Sequence, residues 1–240
     1  MSGAPPGRPD TAAIAVVLTD LEGTTTSLRF VRDVLFPLAA QALDPFLERH
    51  GAQSGVAQLL AEVERLRPGA SPRDTLLGWM AEDAKVAPLK TLQGLIWRDA
   101  YAAGQVRGHL YPDVPGALRA WHAAGLGLAV FSSGSVEAQR LLMRHAEAGD
   151  LEGLFRGWFD TGTGAKREAG SYGRIAAELG VRPEAVLFLS DVEAELDAAA
   201  EAGMATCQLV RPEDGTVAGR RHLLAGDFPA VASAFGLPSM

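Results

Sequence analysis

The chain has 240 residues, 48% hydrophobic and 21% charged, the composition of a globular protein with one large domain or a core carrying a smaller insert. A formal net charge of −7 excludes a broad nucleic-acid interface, which needs clustered Lys and Arg; a phosphorylated small molecule stays open, because a few placed cations serve one phosphate. The lone cysteine, Cys207, excludes an internal disulfide and a thiolate metal cluster, and suits a reducing cytoplasm.

Residues 1–12 are rich in Pro and Gly, lack the basic start and apolar run of a signal peptide, and read as a mobile tail. No apolar stretch approaches the roughly 20 residues that span a bilayer, so no membrane partner is expected. Ile14-Ala15-Val16-Val17-Leu18 is a short apolar run ending in Thr19-Asp20. The next segments, 31–49, 56–66, 73–84 and 89–103, carry apolar residues at helical spacing, with Pro68, Pro72 and Pro88 as breaks. Tyr111-Pro112-Asp113-Val114-Pro115 then leads back to a strand-and-helix alternation. Residues 126–131 form a second apolar run, ending in Ser132-Ser133-Gly134-Ser135 and followed by a helical pattern over 136–148. A short strand is expected over 155–160, a third strong run over 185–189 ending in Ser190-Asp191, and a weaker strand over 204–210. Helices over 172–179 and 193–202 stop at Gly180 and Gly203.

Continuous apolar runs alternating with helices predict an α/β fold, a doubly wound parallel sheet with a Rossmann-like core. The core takes residues 13–27 and 110–240, and residues 28–109 form an inserted all-helical cap.

In such sheets ligands bind beyond the carboxyl ends of the strands. Three strong strands end in Thr19-Asp20, Ser132-Ser133 and Ser190-Asp191, so their polar groups are expected to converge on one crevice. In Asp20-Leu21-Glu22-Gly23-Thr24 the two acids divide into a nucleophile, Asp20, and an acid/base, Glu22, with Gly23 freeing the turn. The same residues also suit an acidic turn with Thr24 as a helix cap. Ser132 and Ser133 suit phosphate at a strand-to-helix junction, or plain N-capping. Lys166, on a Gly-containing loop, suits charge neutralisation in a transition state or an ordinary surface lysine. Asp191 suits an oxygen-ligand set for Mg²⁺; Ser190 with Glu193 also makes a capping-box pattern. No nucleotide P-loop, Gly-x-Gly-x-x-Gly fingerprint, zinc spacing of His or Gly-x-Ser-x-Gly elbow is present.

These segments, in this order, resemble the haloacid dehalogenase superfamily. Its first motif is usually Asp-x-Asp-x-Thr/Val, and Glu22 departs from it. Asp20-Leu21-Glu22-Gly23-Thr24-Thr25 followed by Phe30-Val31-x-Asp33-Val34-Leu35-Phe36-Pro37 is similar to one branch, the enolase-phosphatase E1 (acireductone synthase) family. So are Ser132-Ser133-Gly134-Ser135-Val136-Glu137-Ala138-Gln139, Lys166 with Ser171-Tyr172, and Phe188-Leu189-Ser190-Asp191-Val192 with Glu195-Leu196-Asp197-Ala198-Ala199. The resemblance implies a cytoplasmic, monomeric methionine-salvage enzyme with one Mg²⁺ per chain. It would enolise 2,3-diketo-5-methylthiopentyl-1-phosphate and then hydrolyse the phosphate ester to acireductone and phosphate. It also implies Asp20, Glu22 and Asp191 as metal ligands and Ser132, Ser133 and Lys166 as substrate-binding residues. The rival readings are another Mg-dependent phosphatase or phosphomutase of small metabolites, and a non-catalytic binding protein on the same fold.

Overall fold

The computed structural model describes residues 14–82, 84 and 86–239, so the expected tail over 1–12 lies outside them. The chain divides into two compact units. The first takes residues 14–26, Leu110–Ser133 and 153–239. The second takes Ser27–His109 and Gly134–Glu152.

The first unit is built on a six-stranded parallel sheet in the order β3-β2-β1-β4-β5-β6. The strands are β1 (Val16–Thr19), β2 (Gly127–Phe131), β3 (Phe155–Phe159), β4 (Val186–Ser190), β5 (Ala205–Leu209) and β6 (Leu223–Ala225). β1 and β4 are buried along their whole length, as strands covered on both faces must be. One face buries Val16, Leu18, Phe131 and Phe188 against Tyr172 and Ile175. These two belong to the helix Ala169–Leu179, which packs beside the helix Glu193–Glu201. Alternation along the strands turns Val17, Leu128 and Val130 to the other face. There Trp121 of the helix Val114–Ala123 stacks on Phe228 of the helix Phe228–Phe235, with ring centroids 5.2 Å apart. β1 is central, and strand order reverses between β1 and β4, which makes their carboxyl ends the topological switch point.

Among the described residues, the regular elements of the second unit are helices. Leu28–Phe30 runs through a π-helical turn, Val31–Leu35, into Phe36–His50; Ser54–Leu66, Pro72–Ala81 and Ala87–Ala102 follow. Pro72 and Pro88 stand in first turns, where a missing N–H costs nothing, whereas Pro45 lies inside its helix. Leu43, Phe46, Leu76, Leu89, Leu92 and Ile96 form the core. The Trp97 indole N–H donates to the Leu35 carbonyl at 2.9 Å, tying the last of these helices to the π turn. Trp79 is buried in this core, Phe36 stacks on Trp97 and Phe30 on His109, so all three aromatics have packing roles. The helix Val136–Arg144, placed with the α/β core in the sequence reading, buries Leu141 in the same helical core. Close approach at Gly108 accompanies this: a Cβ there would overlap the Leu142 carbonyl.

Candidate active site

Parallel register brings the strand ends level. Thr19 of β1 lies opposite Val130 of β2 and Leu189 of β4. The residues just beyond, Asp20, Ser132 and Asp191, therefore leave the sheet along one edge. Asp20 N–H still donates to Leu189 O at 2.8 Å, and Ser132 N–H to Phe159 O at 3.1 Å.

After Asp20 the chain folds into a tight turn. The N–H groups of Thr24, Thr25 and Thr26 converge on the Leu21 carbonyl at 3.2, 2.8 and 2.9 Å. The Thr25 hydroxyl lies within reach of the Asp20 and Leu21 carbonyls, at 3.3 and 3.2 Å. Gly23 takes φ +77°, and a Cβ there would stand 2.5 Å from Asp191 Oδ2. Only glycine satisfies both the left-handed backbone and the approach of the second acid.

Lys166 reaches this point from the loop before Ala169–Leu179. The Ser171 hydroxyl donates to the Ala165 carbonyl at 2.8 Å and the Tyr172 hydroxyl to the Lys166 carbonyl at 2.7 Å, which fixes the loop from the helix start. Lys166 Nζ lies 2.7 Å from Asp20 Oδ1 and 2.6 Å from Glu195 Oε2, all three side chains being buried. Burial works against the ammonium, yet the charges of Asp20 and Glu195 outweigh it and raise its pKa. Burial first, and then Asp20, raise Glu195 above the usual carboxylate range. Burial and the Asp20 charge push Asp191 up to about 7.

Asp20, Lys166 and Asp191 are thus brought together. Glu22 sits half-buried on the turn, its backbone bridged to Thr26. Ser132 is buried and Ser133 exposed at the end of β2. The N-cap role expected of this serine run falls to Ser135, which accepts from Ala138 N–H at 3.3 Å. The helix cap after the first motif is Ser27, not Thr24. The capping box does not form either. Glu193 accepts from the N–H groups of Arg220 and Arg221 at 2.7 and 3.0 Å, while Ser190 Oγ donates to Glu195 Oε2 at 3.0 Å and accepts from Val192 N–H at 3.1 Å. Glu195 was not singled out as a site residue. Its signal is a carboxylate four positions after Asp191, one helical turn along an alanine-rich helix that must pack against a sheet.

Among the described residues, no three His, Cys, Asp or Glu side chains cluster into a metal cage. The donors present are two neighbouring carboxylates, and Asp191 Oδ1 is buried without a hydrogen-bond partner. A buried, unpartnered carboxylate oxygen beside a second carboxylate fits Mg²⁺, which takes one or two protein carboxylates and keeps waters and phosphate oxygens as its other ligands.

A sequence profile of haloacid dehalogenase-like hydrolases matches residues 14–203. Enolase-phosphatase E1 of Granulibacter bethesdensis is 55% identical over 223 residues, 92% of this chain and 96% of its own. The protein of the same name from Gluconacetobacter diazotrophicus is 53% identical over 228 residues, covering 95% and 97%. Among solved structures, the UTR4 protein of Saccharomyces cerevisiae superposes with a TM-score of 0.77 at 31% identity, covering 89% of this chain and 98% of its own. The chain belongs to the haloacid dehalogenase-like hydrolases and, within them, to the enolase-phosphatase E1 family.

Proposed function

We propose that this chain is the bifunctional enolase-phosphatase of methionine salvage, acting on 2,3-diketo-5-methylthiopentyl-1-phosphate. The observation that carries the reading is the buried Asp20–Lys166 pair beside Asp191 at the switch point of the sheet, in a chain half identical to enolase-phosphatases over nearly its whole length. Asp20, Asp191 and Glu22 would hold one Mg²⁺ per chain, which would supply Lewis-acid neutralisation of phosphate charge. Lys166, Ser132 and Ser133 bind the phosphoryl oxygens. In the enolase half, the Glu22 carboxylate takes the proton from the carbon beside a carbonyl, and the Lys166 ammonium offsets the developing enolate charge. In the phosphatase half, an Asp20 carboxylate oxygen attacks phosphorus while the phosphorus–oxygen bond to the enol product breaks. Glu22 delivers a proton to the departing oxygen, then takes one from the water that attacks the aspartyl-phosphate, releasing phosphate and restoring Asp20. The lone buried Cys207 and the absence, among the described residues, of any helix long and apolar enough to cross a membrane support a cytoplasmic enzyme, and we propose that it works as a monomer.

The test follows ene-diol absorbance and phosphate release together, with the diketone phosphate and Mg²⁺. The expected result is ene-diol formation coupled to stoichiometric phosphate. Phosphate release without an ene-diol would assign a different phosphatase activity, and neither signal would favour a binding protein.

A further inference from the structure

We infer that the end of β5 is a brace holding the two acid-bearing turns at a fixed spacing, so that Gln208 and Arg211 are positioning residues for the reaction; this rests on Asp20 and Asp191 being the working acids. Both side chains are almost fully buried, 1% and 3% exposed; Gln208 lies in β5 and Arg211 two residues past its end, just after Val210, whose N–H still donates to the Ala225 carbonyl of β6 at 2.9 Å. The Gln208 carboxamide donates to the Asp191 carbonyl at 2.7 Å and to Val217 O at 3.0 Å, and accepts from Gly219 N–H at 2.7 Å. Every polar group of that amide but one lone pair is committed, which fixes its orientation. Arg211 Nε and Nη2 donate to the Thr24 carbonyl at 3.3 and 3.0 Å, on the turn that follows Asp20. Its fork is held by Asp113, with both guanidinium–carboxylate contacts at 2.9 Å, and its plane lies 4.0 Å over the Tyr111 ring. Asp113 is itself fixed by Phe228 N–H at 2.9 Å.

Residues 208–211, running from β5 into the chain just past its end, therefore grip a main-chain carbonyl on each acid turn. Loops by themselves hold functional groups loosely, and a site must be kept within about 0.5 Å of productive geometry. Tying both turns to a common strand end relates the Asp20 and Asp191 carboxylates to one frame. Lys166 joins the Asp20 and Glu195 side chains, whereas Gln208 and Arg211 hold the main chain of the two turns.

The test compares Gln208→Met and Arg211→Met with wild type in amide hydrogen exchange and steady-state kinetics. Exchange is expected to accelerate at Val192 in the first variant and at Thr24–Thr26 in the second. kcat is expected to fall by roughly tenfold to a hundredfold, the scale of a misplacement near 1 Å, with KM within about twofold. Should Arg211→Met fail to fold, Arg211→Lys keeps a cation opposite Asp113 but loses the fork, and the same two readouts apply. Folded variants with wild-type exchange and kcat, or an effect confined to KM or melting temperature, would overturn the brace. A wild-type protein without turnover would instead overturn the enzymatic reading, and exchange would still decide the brace.

Discussion

Lys166 holds two carboxylates, Asp20 and Glu195, that would otherwise face each other in the interior. Removing one partner of a buried ion pair leaves uncompensated charge and typically costs about 3–5 kcal/mol. Lys166→Ala should therefore lower stability on that scale at neutral pH as well as weaken phosphate binding. Part of the stability should return in acid, where Glu195, already raised, takes a proton. Urea denaturation at neutral and acid pH checks this, and an unchanged midpoint would contradict it. Asp191 makes a second prediction. Its pKa is raised from the ordinary 3.8 to about 7, by burial first and then by Asp20. A group raised on folding contributes stability that is full below its unfolded pKa and lost as pH rises through the folded one. The metal-free protein should lose stability between about pH 4 and 7 relative to Asp191→Asn, while Mg²⁺, which needs the ionised carboxylate, should bind more tightly across the same window. Denaturation with chelator and Mg²⁺ titrations measure both; a wild-type curve parallel to that of Asp191→Asn would contradict the assignment.

At the scale of elements, the turn after β1 concentrates the constraints. Gly23→Ala forces a Cβ onto a left-handed residue and to 2.5 Å from Asp191 Oδ2. The backbone strain alone is about 1–2 kcal/mol, and the displaced acid should also weaken Mg²⁺ binding; native-like metal affinity in a folded variant would speak against the close approach. The strong strands β1, β2 and β4 were legible because fully buried parallel strands leave unbroken apolar runs. β6 was not legible: it is three residues long at the sheet edge, and Leu223 and Leu224 are exposed. The last helix, Phe228–Phe235, did carry signals, with Asp227 capping Ala230 N–H at 2.7 Å and Gly236 ending it at φ +66°. The packing of Val136–Arg144 was beyond reach, because periodicity defines an apolar face but not the partner that covers it.

For the whole molecule, strand order decides where chemistry gathers. A sheet ordered 3-2-1-4-5-6 puts the ends of β1 and β4 side by side, so the polar residues that end those runs meet without any local sequence signal linking them. Asp20 and Asp191 were legible as a pair only through the general rule that strand ends in such sheets share one crevice. Lys166 was named from sequence through the resemblance, and its burial and 2.7 Å contact with Asp20 set it apart from a surface lysine, while Glu195, Gln208 and Arg211 emerged only from burial and hydrogen bonding. The central claim is that Asp20 attacks phosphorus. It is tested most directly by quenching the enzyme during turnover, reducing the trapped acyl phosphate with borohydride and mapping the modified residue by mass spectrometry. The account predicts modification at Asp20 alone, absent from Asp20→Asn; modification elsewhere, or undiminished turnover in Asp20→Asn, would contradict it.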